Sequence, residues 1–135
     1  MRNMDRWLGD GGMPVIGAIG GAFTEYGDGW AAAEWVPTDM ACNPAGGVQA
    51  GVYAVMLDAA MNFAANASLD GKDRTRGTLE MKIDCLKGAS KGDALRVRGA
   101  VSRMTKVIAF TEAVVTNEND ELVSRSTGTF MIHRD

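Results

Sequence analysis

Asp58 is the only acidic residue in an apolar stretch that runs from Gly47 to Ala67. A carboxylate in such surroundings costs free energy unless water, a hydrogen bond or a ligand compensates. One reading puts Asp58 on the solvent side of a helix, or has it capping a neighbouring strand. The other holds it in an apolar cleft as a general base or nucleophile. The rest of the inventory narrows the chemistry. His133 is the only histidine and lies near the end of the sequence, so Ser-His-Asp and Cys-His arrangements lack their base. Cys42 and Cys85 are far apart and read as packing thiols. No His, Cys or carboxylate cluster has metal-ligand spacing, so no metal site is expected, and no Gly-rich phosphate loop follows a strand. Asn43, before Pro44, is ordinary turn chemistry or a polar group aimed at a ligand. Thr78 is equally bland alone.

These residues need elements to position them. Residues 1–16 read as irregular, because Gly9, Gly11, Gly12 and Pro14 interrupt any helix. Ala22 to Tyr26, the turn Asp28-Gly29 and the return strand Trp30 to Val36 predict a hairpin. A polar loop, Thr38 to Gly46, leads into one long helix over about Gly47 to Ala67. Val48, Val52, Val55, Met56, Ala59 and Phe63 recur at three- and four-residue steps and predict its apolar face. Small residues Ala50, Gly51 and Ala54 predict close approach of another backbone. Ser68 to Gly77 reads as a loop, followed by strands at Thr78 to Leu86, Ala94 to Met104, Val107 to Thr116 and Leu122 to His133. One helix against about six antiparallel strands is an α+β architecture, with the helix apolar enough to be wrapped by the sheet.

Composition sets the outer bounds. The chain has 135 residues, enough for one core, with 46% hydrophobic and 23% charged residues, and reads as one globular domain over 1–135. Its net charge of −3 argues against nucleic acid and anionic membrane surfaces as partners. An anionic ligand would need a local basic patch working against that sign. A membrane span over Gly47 to Ala67 is disfavoured, since a central Asp costs roughly 2.5–3.5 kcal/mol there. The few cysteines and the absence of a signal pattern point to a cytoplasmic protein.

The run Asn43-Pro44-Ala45-Gly46-Gly47-Val48-Gln49-Ala50-Gly51, with Asp58 following in Met56-Leu57-Asp58-Ala59-Ala60, resembles the signature of hotdog-fold acyl-CoA thioesterases of the phenylacetate-pathway type. That signature has an Asn, a His-Gly-Gly six residues on, and a helical Asp nine residues after the His. Thr78 to Ile83 is similar to the family's third strand, and Asp120 to Phe130 to its last. The resemblance runs from about Gly17 to the end of the chain. It implies a helix wrapped in an antiparallel sheet, assembly as a homodimer or homotetramer, and hydrolysis of an acyl-CoA thioester without a cofactor. It also implies roles. Asp58 matches the carboxylate that activates or delivers water, and Thr78 the hydroxyl that positions that water. Asn43 matches a residue that orients the thioester. The N–H of Ala50 matches the amide that polarises the carbonyl, with Gly51 beside it along the substrate. The family His is Gln49 here, which donates a hydrogen bond but carries no proton, and Ala50 adds a methyl where the motif has Gly. Coenzyme A brings phosphates, for which Lys72, Arg74, Arg76, Arg103 and Lys106 are candidates; solvated surface charge is the plain alternative for each.

A helix N-terminus presents unpaired N–H groups and a positive dipole end, suited to the charge that develops on a thioester oxygen; one such donor is worth about 3–4 kcal/mol. Ala50 and Asp58 are eight residues apart, roughly 12 Å along a helix. One copy therefore hardly serves a single carbonyl with both, and a two-fold partner is expected to complete the site. A hotdog hydratase would need the missing His. A dimeric acyl-CoA binding protein without catalysis is the alternative from another class.

Overall fold

The computed structural model describes all residues from 1 to 135. Six antiparallel strands form one sheet: β1 (Gly21–Gly27), β2 (Trp30–Trp35), β3 (Arg74–Cys85), β4 (Leu95–Met104), β5 (Ile108–Thr116) and β6 (Leu122–His133). Their order across the sheet is β1-β2-β4-β5-β6-β3. A short helix, α1 (Pro14–Ala18), precedes the sheet, and the long helix α2 (Ala50–Ala67) is cradled by it. This is the hotdog arrangement, α+β, and the two strands, long helix and four strands follow in the order expected from the sequence.

The helix sits unusually close to the sheet because the sequence clears space for it. A Cβ on Gly99 of β4 would overlap the carbonyl of Ala60 and come within 2.9 Å of the Met61 nitrogen. Ala60, Met61, Ala64 and Leu57 are buried against this surface. Alternation on β4 buries Leu95, Val97 and Gly99 and turns Arg96 and Arg98 outward, as expected of a strand with one wet face. Phe63 gathers an aromatic cluster, with Trp7, Phe23 and Tyr26 at centroid distances of 5.3, 5.2 and 5.3 Å.

Four expectations need correction. Residues 1–16 are not irregular throughout. Asp5–Trp7 form a 3-10 turn, and α1 starts at Pro14, which tolerates the first helical position because no N–H is required there. Gly9 pairs with Phe23 in an isolated bridge, so this segment is docked on the outer edge of β1. Secondly, α2 begins at Ala50 rather than Gly47, because Gly47 and Val48 are drawn into bridges with Ser90 and Cys42. Thirdly, β3 begins at Arg74, within the expected loop. Gly77 (φ 108°) and register shifts on both sides of Thr78 break the alternation that marks a strand. Fourthly, the buried face of α2 contains the expected residues but is wider than the expected one. Met56, Ala59 and Phe63 are buried as expected and Val52 and Val55 are half-buried against the core; Tyr53, Leu57, Ala60 and Met61 are buried in addition, and Val48 lies outside the helix.

The stripe of α2 left uncovered by its own sheet contains Gly51, Ala54, Val55, Asp58 and Asn62. Their i, i+3, i+4 spacing places them on one side. No helix is long and apolar enough to cross a membrane.

Candidate active site

Two parts of the candidate site form independently. The first joins α2 to β3. The Thr78 hydroxyl donates to Asp58 Oδ1 at 2.8 Å, across twenty residues of sequence. The bulged backbone around Thr78 aims this side chain at the helix, a use to which bulges are well suited. Asp58 is half-exposed in the single chain, so water reaches it. Its neighbours along the stripe are nevertheless small or apolar, and an additional surface laid over them would enclose the carboxylate.

The second part is the start of α2. Asn43 Oδ1 accepts the N–H groups of Ala45 (3.0 Å) and Gly47 (3.1 Å), and the Asn43 N–H donates to the Gly47 carbonyl at 2.8 Å. The turn role of Asn43 is thus real, while its amide NH2 donates to nothing in the chain. Gln49 occupies the N-cap, anchored by its N–H to the Ala41 carbonyl at 3.0 Å. Its exposed side chain makes no capping bond. The N–H groups of Ala50 and Gly51 have no acceptor in the chain and point along the helix axis into open space, as the first amides of a helix do. A Cβ on Gly51 would meet nothing within 4 Å.

These parts lie on the same stripe but about 12 Å apart, for eight residues at 1.5 Å each. Beside the stripe is an apolar recess of about 130 Å³, walled by Trp7, Met13, Ile16, Phe23, Ala59 and Phe63, with Asn62 at its rim.

The candidate cations scatter. Lys72 and Arg74 share a pocket at the C-terminal end of α2. Arg76, on the strand rather than in a loop, donates to His133 Nδ1 at 3.3 Å. Arg103 is exposed on β4, and Lys106 lies in the β4–β5 turn, where its carbonyl accepts the Arg134 Nε–H. The same Arg134 reaches Asp73 Oδ2 at 3.1 Å, which tethers that turn to the start of β3.

Several residues escape a reading of the sequence. Asn66 is 2% exposed and knots three segments together. Its Oδ1 accepts the Thr75 N–H and Arg2 Nη2, and its Nδ2 donates to the Asn62 carbonyl and Thr75 Oγ1. Arg2 also donates to the carbonyls of Gly71 (3.1 Å) and Asp73 (2.7 Å). A pair of Asn residues at i and i+4 near the end of an apolar helix is the available signal for this network; nothing local marks Arg2. No three His, Cys, Asp or Glu side chains converge anywhere.

The sequence model of the thioesterase superfamily matches residues 46–124, which include the first part of β6 and everything from the helix start onward to it. Solved structures share the whole architecture. A thioesterase of Haemophilus influenzae superposes with a TM-score of 0.87 at 14% identity, covering 99% of this chain and 92% of that one. A phenylacetic acid degradation-related protein of Ralstonia eutropha gives 0.82 at 28% identity, covering 96% and 99%. A Streptococcus mutans protein bound to acetyl-CoA gives 0.75 at 19% identity, covering 82% and 86%. No curated protein matches the sequence. The chain belongs to the thioesterase superfamily and has its hotdog fold.

Proposed function

We propose that the chain hydrolyses an acyl-CoA thioester in a homodimer, at two equivalent sites each built from both copies. The observation that carries this is the Asp58–Thr78 pair on an uncovered, small-residue stripe, with free helix N–H groups farther along the same stripe. Two such helices packed antiparallel about a two-fold near Ala54 bring Asp58 of one copy to Ala50 of the other. The small residues Gly51 and Ala54 permit that approach. The unpaired outer edge of β3, where Leu79 is 52% exposed, gives the two sheets a means of joining. The acetyl-CoA held by the Streptococcus mutans protein of the same fold supports CoA thioesters as the substrate class.

In this reading the thioester oxygen lies against the Ala50 N–H of one copy, where the helix dipole and the amide stabilise developing negative charge. Asp58 of the other copy takes a proton from water held with Thr78, and the oxygen attacks the carbonyl carbon. The tetrahedral intermediate collapses, the C–S bond breaks, and the proton on Asp58 passes to the departing sulfur. Acid and CoA thiol result, and the carboxylate is regenerated. Asn43, through its free NH2, and Gln49 orient the thioester.

The test is thiol release from short, medium, long and aromatic acyl-CoAs, with wild type and Asp58→Asn. Turnover should fall by about 10²–10⁴-fold in the variant, the range of a lost general base. Undiminished turnover would remove Asp58 from the mechanism. Mixed subunits carrying Asn43→Ala and Asp58→Ala should recover activity if the site is shared; none under verified exchange refutes the sharing. The substitution of Gln49 and Ala50 for the family His-Gly favours one alternative, a non-catalytic acyl-CoA binding dimer. Tight acyl-CoA binding without turnover on any thioester would establish it.

A further inference from the structure

At the C-terminal end of α2 the docked N-terminal segment and the loop before β3 border an open surface pocket of about 520 Å³. Arg2, Arg6, Lys72 and Arg74 line it, Trp7 forms one wall, and no Asp or Glu contributes. This concentration of positive charge runs against the net charge of −3. It is also unspent. Arg6, Lys72 and Arg74 enter no ion pair, since the ion pairs of the chain are formed elsewhere. Arg2 binds neutral acceptors only, the Gly71 and Asp73 carbonyls and Asn66 Oδ1, and its Nε is buried without a partner. The Asp73 carboxylate is turned to Arg134 and the Asp135 N–H. Burial, and next the charge of Arg6, lower the Arg2 pKa, with Asp73 and Asp70 opposing more weakly.

Like charges held together with only weak counter-charge from Asp73 and Asp70 suit a polyanion, and guanidinium groups favour phosphate oxygens. The indole wall adds a flat surface on which a base stacks. Distance ties the pocket to the proposed active site. Asn66, on its wall, is eight residues beyond Asp58, or about 12 Å along the helix. The pantetheine arm, built of pantoate, β-alanine and cysteamine units, spans about four residue-lengths of extended chain, roughly 14 Å. The apolar recess beside Asn62 lies between the two points.

We infer that this pocket receives the phosphorylated adenosine end of the CoA thioester, with Arg6, Lys72 and Arg74 on its phosphates and Trp7 against the base. The inference rests on the acyl-CoA reading of the site, and the experiment separates the two. Adenosine 3′,5′-bisphosphate is titrated into the full chain by calorimetry, for wild type and for the exposed double variant Arg6→Ala/Lys72→Ala. KM is then compared for matched acyl-CoA and acyl-pantetheine thioesters. The expected result is bisphosphate binding that the variant weakens by about tenfold or more, as for loss of charge-assisted contacts. KM should rise similarly for the CoA thioester and change less than about twofold for the pantetheine thioester, which lacks phosphates. Wild type that does not bind the bisphosphate overturns the inference, even if thioesters are cleaved. So does binding that the variant abolishes while KM for acyl-CoA stays unchanged, which would make this a separate nucleotide site. If no thioester is cleaved, the hydrolase reading fails, and acyl-CoA binding compared between wild type and variant still decides the pocket.

Discussion

Asn66→Ala should be among the costliest single substitutions outside the apolar core. Asn66 is 2% exposed, and its Oδ1 accepts the Thr75 N–H at 3.1 Å and Arg2 Nη2 at 3.0 Å. Alanine strands the Thr75 amide, at about 1–3 kcal/mol for a buried donor, and removes a charge-assisted bond worth about 1.5–3 kcal/mol. The second figure is discounted because Arg2 keeps two carbonyl partners and is partly open to solvent. The net loss should be about 3 kcal/mol, a substantial share of a total near 5–15 kcal/mol. With a urea slope of about 2 kcal/mol/M, the midpoint should fall by roughly 1.5 M. Arg2→Met in both backgrounds then measures the coupling, expected at about 1 kcal/mol or more for residues in one network. A midpoint shift below about 0.3 M, or an Arg2→Met cost that is the same in both backgrounds, would refute the claim that this knot holds the N-terminal segment in place.

Gly99→Ala should lower the melting temperature by about 5–10 °C, because its methyl overlaps the Ala60 backbone and overpacking costs roughly 1–3 kcal/mol; Gly88→Ala, with nothing within 4 Å of its added carbon, is the silent control. Thr78→Val keeps the shape and removes the donor to Asp58, so kcat should fall about tenfold, and the same change in an Asp58→Asn background should add little if the two act together. The Asp135 N–H and Arg134 hold the Asp73 carboxyl below its ordinary value of 3.8. A lowered folded-state pKa gives stabilisation that is present above the unfolded pKa and lost as pH falls through the folded one. The Arg134–Asp73 tether should therefore hold at neutral pH and open only below 3.8, which the Asp135 amide resonance would report in an acid titration; opening near pH 6 would contradict it.

Much of this architecture is legible in the sequence, for reasons visible in single residues. Asp28-Gly29 announces the first hairpin, and the alternation of Leu95, Val97 and Gly99 against Arg96 and Arg98 announces β4. Asp58 stands out because an isolated acid in an apolar helix demands a reason. The width of the buried face of α2 is only partly legible: Met56, Ala59 and Phe63 mark it, while Tyr53, Leu57, Ala60 and Met61 beside them are buried too. Periodicity sets the centre of an apolar face but not its width when the flanking residues are apolar as well. The start of β3 is hidden by the Gly77 bulge, which breaks the alternation and makes Arg74 and Arg76 look like loop residues. The Asp58–Thr78 bond matches a motif, but no local pattern predicts it, because it depends on that bulge. Arg2 gives no local signal, since its partners Asn66 and Gly71 lie more than sixty residues away.

The two margins of the sheet are not alike. Beyond β1, the N-terminal segment already occupies part of the edge, with Gly9 and Phe23 exchanging both N–H···O bonds at 2.9 and 2.7 Å. Beyond β3 the edge is open along Arg74–Cys85, and its charged Arg74, Arg76, Glu80 and Lys82 are interrupted by bulges. A sheet with two open edges is a repeating unit that adds copies without end. A sheet with one edge partly covered favours pairing through the other: two copies that met along β3 would leave the partly covered β1 edges outside. The docking of a few glycine-rich residues on β1 thus does more than fill space. It blunts the β1 edge at Phe23, and freeing that segment would expose a second edge open to pairing.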